Sequence, residues 1–182
     1  MKRITAIFAI VCAAWFATVG GASAASESCS LSAETDWQAG KQTLRVAAHS
    51  NGDDCAKAVV TLIVRDAKGG VLWTDSAPAD HVMTFAEAKT PGDMMIALAE
   101  WIAADQPFPS TADLPEWKPG ADQPILGEFY FYPDAGVDRA YYEQMRAARL
   151  PAFAYVQGME SMAVIVLKDG RMEKLGAQTF PG

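Results

Sequence analysis

Residues 105–124 hold half of the chain's 10 prolines: Pro107, Pro109, Pro115, Pro119 and Pro124. Each proline fixes its own φ and lacks a backbone N–H, so this stretch builds neither a continuous helix nor a central strand. It is expected to be a long loop between two regularly structured parts of the chain. Phe108 and Trp117 lie within it, and leaving them wholly in water is costly, so both are expected to dock on the domain or on a partner. Loops of this length are uncommon without a role, which makes the segment a candidate interaction surface.

The patterns on either side predict the regular elements. Gln42 to His49 alternates, with Leu44, Val46 and Ala48 on one side, as a half-buried strand does. Ala58 to Arg65 is rich in β-branched residues and reads as a central strand, followed by a turn at Lys68-Gly69-Gly70 and a hairpin partner over Val71 to Thr74. Thr90-Pro91-Gly92-Asp93 carries a cap residue, a proline at the first helical position and an acid three residues after the cap, so a helix starts there and runs to Ile102. Its apolar face is Met94, Leu98, Trp101 and Ile102, with Met95 and Ala99 beside it.

Ile125 to Tyr132 alternates again, placing Phe129 and Phe131 on one face and Tyr130 and Tyr132 on the other. A second helix is expected from Asp138 to Arg149, stopped by Pro151, and strands over Phe153 to Gln157, Met162 to Leu167 and Arg171 to Leu175. The Asp169-Gly170 pair between the last two is a hairpin signal. These elements predict an α+β fold, a mainly antiparallel sheet of about six strands with two helices packed on one face.

The beginning of the chain gives it an address. Lys2 and Arg3, an apolar run from Ile4 to Val19 and the small residues Ala22-Ser23-Ala24 form the three parts of a signal peptide, expected to be cleaved to leave residues 25–182 as one domain. Periplasmic export is the first expectation and extracellular release the second, with no stable membrane anchor after cleavage. Cys12 leaves with the signal, so Cys29 and Cys55 have only each other. A bridge closing a loop of about 26 residues is expected in an oxidising compartment. Losing Lys2 and Arg3 lowers the cations from 15 to 13 against 22 acids, moving the net charge from -7 to -9. Such a surface disfavours nucleic acid and anionic lipid and favours a basic partner.

Residues that could carry chemistry are few. Neither His49 nor His81 stands at a metal-site spacing, and no phosphate loop, dinucleotide fingerprint, calcium loop or G-x-S-x-G elbow occurs, so no metal and no cofactor is expected. His81, preceded by Asp80, is the better catalytic candidate; Glu160 and Ser161, at a turn after Gly158, are candidates to line a pocket with Tyr155 and Gln157. Two functions fit this inventory. The first is a non-catalytic domain outside the cytoplasm that binds a protein or small ligand through Phe108, Trp117, Tyr130 and Tyr132, one form of it being an inhibitor of a basic hydrolase such as lysozyme. The second is a small hydrolase or transferase using His81 with Asp80, Glu100 or Glu160, which requires His81 to face a concave pocket with a carboxylate within hydrogen-bond reach.

Overall fold

The computed structural model describes residues 28–103 and 106–181. The expected signal peptide, Cys12 included, lies outside them, as does Asp105. Four strands come first: β1 (Leu31–Ala39), β2 (Gln42–Asn51), β3 (Val59–Arg65) and β4 (Val71–Pro78). Then follow α1 (Pro91–Trp101), β5 (Ile125–Leu126), β6 (Phe129–Pro133), α2 (Arg139–Ala148), β7 (Ala152–Val156), β8 (Ser161–Lys168) and β9 (Arg171–Thr179). The fold is α+β with antiparallel strands, and the single sheet of about six strands is corrected to two sheets. One has the order β1-β2-β3-β4 and the other β5-β6-β9-β8-β7.

The difference has two physical sources. β1 was hidden because its inward residues Leu31, Ala33, Thr35 and Ala39 are mostly small or polar, and Glu34 and Asp36 on its other side are poor strand formers. Only Trp37 advertises the buried face. The two sheets then stack: Phe153, Tyr155, Ala163, Ile165 and Leu167 of the five-stranded sheet share one core with Trp37, Leu44, Val46, Leu62 and Val64 of the four-stranded sheet. Trp37 meets Phe153 edge to face, ring centroids 5.3 Å apart.

The reverse face of the five-stranded sheet carries a second core. Ala152, Ala154, Val164, Val166, Leu175 and Phe131 pack there against Tyr142 and Met145 of α2 and against Phe108 and Leu114. β7 and β8 are therefore buried on both sides, which accounts for their continuous apolar runs, while β1, covered on one side, alternates. The two helices lie on opposite sides of this sheet, α1 in the first core and α2 in the second, which corrects the expectation of one shared face.

Local chemistry sets the corners. Thr90 and Asp93 complete the capping box of α1, with the Asp93 N–H donating to Thr90 Oγ1 at 3.2 Å and the Thr90 N–H to Asp93 Oδ2 at 3.1 Å. The Thr90 hydroxyl, which donates to Asp93 Oδ2 at 2.7 Å, and then the Thr90 N–H hold the Asp93 carboxyl below its ordinary pKa. The buried residues of α1 are Met94, Ala97, Leu98 and Trp101; Met95 and Ala99 turn outward. Asp169 and Gly170 both adopt positive φ, as a two-residue hairpin between twisted strands demands. In β9 the register shifts opposite Val164 and Ile165, and a Cβ on Gly176 would collide with the Tyr132 carbonyl oxygen and the Phe131 ring, so β6 can lie this close only against glycine. The Cys29–Cys55 disulfide, Cα atoms 5.1 Å apart, ties the start of β1 to the turn after β2. Among the described residues no helix is long and apolar enough to cross a membrane.

Candidate functional site

The proline-rich segment is ordered by α2 and in turn covers a strand edge. Tyr142 donates its hydroxyl to the Pro115 carbonyl at 2.7 Å, Arg146 donates to the Leu114 carbonyl at 3.1 Å and Arg139 to the Trp117 carbonyl at 2.7 Å. Glu143 accepts the Trp117 N–H at 3.2 Å, and the buried Thr111 hydroxyl reaches the Met145 carbonyl at 2.6 Å. Burial lifts the Tyr142 phenol far above its usual pKa, so it stays a neutral donor.

Phe108 is 4% exposed and sits in the second core. Trp117 is half-buried with its ring edge on Tyr142, centroids 5.7 Å apart. Both aromatic residues of the segment dock on the domain, Phe108 completely and Trp117 in part.

The same segment, together with Trp101 of α1, closes the outer edge of β7. The Ala152 N–H donates to the Pro109 carbonyl at 3.2 Å, the Ala154 N–H to Gln106 Oε1 at 2.6 Å, and Trp101 Nε1 donates to the Val156 carbonyl at 2.6 Å. Proline suits this task because it keeps its acceptor while offering no donor with which the sheet could continue.

At the other side of the molecule the two sheets end unevenly. β4 packs over β9, and no residue of β5 or β6 belongs to the core between the sheets. Tyr132 pairs with Ala177, which pairs with Ala163, so Tyr132 shares the face that the four-stranded sheet covers farther along. Beyond β4 that cover stops. Tyr130 and Tyr132 are left 45% and 49% exposed, with ring centroids 6.2 Å apart. They form the floor of a step whose wall is the edge of β4.

That wall is open along most of its length. Among the described residues no backbone group pairs with the outer side of β4. Asp75 guards one point: its Oδ1 accepts the Ser76 N–H at 2.9 Å and its Oδ2 accepts the Tyr155 hydroxyl at 2.7 Å, while Trp73 Nε1 donates to the same hydroxyl at 3.2 Å. Burial first, and the Asp75 carboxylate second, push the Tyr155 phenol well above its ordinary pKa. This hydroxyl therefore stays protonated near neutrality and holds β4 to β7. Asp75 was not singled out from sequence; the available signal was a lone carboxylate in an otherwise uncharged strand.

The catalytic candidates are not assembled. His81 stands on a short 3-10 helix with its side chain 72% exposed, and its Nε2 lies 3.9 Å from Asp80 Oδ1, beyond hydrogen-bond reach. Glu100 lines a hollow of about 200 Å³ with Thr84, Trp101 and Tyr155. Glu160 is exposed at the turn after β7. His49 is half-exposed on the outer face of β2, between Ser32 and Thr61. A further hollow of about 460 Å³ lies on that outer face, lined by Arg45, Arg65, Glu34, Asp36 and Asp66. Arg45 is held there by Glu34 at 3.0 Å and Asp36 at 3.1 Å, so its charge is already answered.

Comparison of the chain with known protein families, curated proteins and solved structures finds no match. The step at β4, Tyr130 and Tyr132 is the place where the molecule leaves both hydrogen-bonding backbone and aromatic surface available together.

Proposed function

We propose that the chain is an exported, non-catalytic interaction domain that takes an extended segment of a partner protein against the outer edge of β4, over Tyr130 and Tyr132. The observation that carries this is the coincidence of an unpaired strand edge with an exposed tyrosine pair. Main-chain hydrogen bonds along an edge supply affinity for any extended peptide, and a floor of aromatic rings adds apolar contact with little loss of side-chain entropy. The expected net charge of -9 after removal of Lys2 and Arg3 favours a basic partner and speeds its approach. An inhibitor of a cationic envelope-attacking hydrolase such as lysozyme is one concrete form, acting in the periplasm or after release from the cell.

The test is binding of the purified protein to lysozyme and to basic proteins of a periplasmic extract, at low and at moderate salt, beside a Tyr130→Ala/Tyr132→Ala variant. Binding that weakens with salt and drops at least tenfold in the variant supports the proposal. A partner held equally well by both forms removes the step as its site. The alternative of a small hydrolase or transferase needs His81 in a concave pocket, a requirement that its exposed position does not meet.

A further inference from the structure

Several exposed sulfur atoms in the structure have no place in the binding step. Among the described residues no group of three or more histidine, cysteine or carboxylate side chains gathers to hold a metal. Methionine thioether is the remaining donor type, and one backbone hydrogen bond links the chain at two exposed methionines. The Met83 N–H donates at 3.1 Å to the carbonyl of Gly158, in the peptide group that links Gly158 to Met159. This bond sets the two residues side by side although they are distant in sequence.

Both side chains face water, Met83 40% and Met159 48% exposed. The neighbours of Met83 show that this is a consequence of backbone geometry. The 3-10 helices at Ala79–His81 and Met83–Phe85 send Val82 and Phe85 into the core and leave Met83 and His81 outside. His81 is two residues from Met83 on the same rim, its imidazole unburied and out of hydrogen-bond range of Asp80.

We propose that Met83, Met159 and His81 form a surface site for a soft monovalent d¹⁰ cation, Cu(I) or Ag(I). Thioether sulfur is neutral at every pH and soft, so it selects such ions over zinc, calcium or magnesium, which prefer imidazole, thiolate or oxygen. Two thioethers and one imidazole supply three donors. The nearby carboxylates of Asp80 and Glu160 add a negative field without being ligands. Competing thiolate is removed by the Cys29–Cys55 bond, which leaves the described residues without a free cysteine.

The experiment is titration of the purified protein, in a Cys12→Ser background, with Ag(I) by calorimetry and with Cu(I) against a chromophoric chelator under anaerobic conditions. Methionine methyl NMR follows which sulfurs respond. One equivalent is expected to bind, with the Met83 and Met159 methyl signals shifting and those of the buried methionines unmoved. Met83→Leu or Met159→Leu should each weaken binding at least tenfold, the double variant should abolish it, and His81→Ala should weaken it less. Leucine keeps the volume and apolar character of methionine, so a packing role would survive the change and a ligand role would not. Unchanged stoichiometric binding in the double leucine variant, or no saturable binding by the wild type, overturns the proposal.

Discussion

The edges of β7 and β4 face the same physical problem and meet it differently. Each ends a sheet with a row of backbone donors and acceptors that could pair with another chain. On β7 the groups are taken one by one, by Pro109 and Gln106 of the segment that α2 holds in place and by Trp101 of α1. β4 carries eight residues, Val71 to Pro78, with a bulge at Leu72 near its start, Asp75 and the terminal Pro78 as its deterrents. Covering one edge with an elaborate strap while leaving an unpaired, nearly uncharged edge near exposed tyrosines is the contrast that points to β4 as the working edge.

The strap is the place to break that contrast most severely. Phe108→Ala removes its buried anchor and is expected to cost about 3 to 5 kcal/mol in urea unfolding, in the range of phenylalanine truncations in well-packed cores. The Ala152 and Ala154 amides should lose hydrogen-exchange protection along with it. If they stay protected while stability falls, β7 is guarded by something other than the strap. Replacing Cys29 and Cys55 by serine is expected to cost about 3 kcal/mol through the freed loop, without altering protection on β7. A smaller and more local change is Gln106→Ala, which leaves the Ala154 N–H without its side-chain acceptor; a loss of about 1 to 3 kcal/mol is expected, with faster exchange at that amide.

The bond between Tyr155 and Asp75 separates the two edges by pH. Folding holds the Tyr155 phenol above its unfolded pKa of about 10, so its contribution is complete below that pH and is lost as the pH rises toward the folded value. Tyr142 behaves in the same sense. Stability should therefore fall in the alkaline range, with the tyrosinate absorbance of these two residues appearing only as the protein unfolds. Tyr155→Phe should flatten part of that alkaline slope and loosen β4, whereas Tyr142→Phe should flatten another part and loosen the strap. Identical exchange patterns in the two variants would show that the edges are not held independently.

Much of this architecture was legible where a single local interaction decides the outcome. The capping box at Thr90 and Asp93, the Asp169-Gly170 hairpin and the pairing of the only two cysteines outside the expected signal peptide all depend on near neighbours or on elimination. The division into two sheets depends on distant packing. Its trace was present in the unbroken apolar runs of β7 and β8, which a sheet covered on one face does not need. β1 was hidden because Ala33 and Thr35 fill inward positions that a more apolar residue would have made visible.

The candidate site was half legible for the same reason. Alternation along Phe129 to Tyr132 separates the phenylalanines from the tyrosines, and Phe131 is indeed fully buried. Whether the tyrosine face is covered is set by where the other sheet ends, and nothing in residues 125–132 encodes that. For Phe108 and Trp117 the sequence left domain and partner equally open, and the polar side chains of α2, at Arg139, Tyr142, Glu143 and Arg146, decided for the domain. Their spacing along one helix was readable only once the loop they hold was known.

The least disruptive test bears on β4 itself. Thr74 is exposed at the middle of the strand, and placing a lysine there copies the way natural sheets blunt an edge. As a solvent-facing substitution, Thr74→Lys is expected to change stability by no more than about 0.5 kcal/mol. If β4 receives a basic partner strand, the new positive charge beside it would repel that partner. Binding should fall while folding, the strap and the β7 amides remain as they were. Equal binding by wild type and Thr74→Lys would mean that the openness of β4 is incidental and that only the tyrosine pair, tested separately, remains as a contact surface.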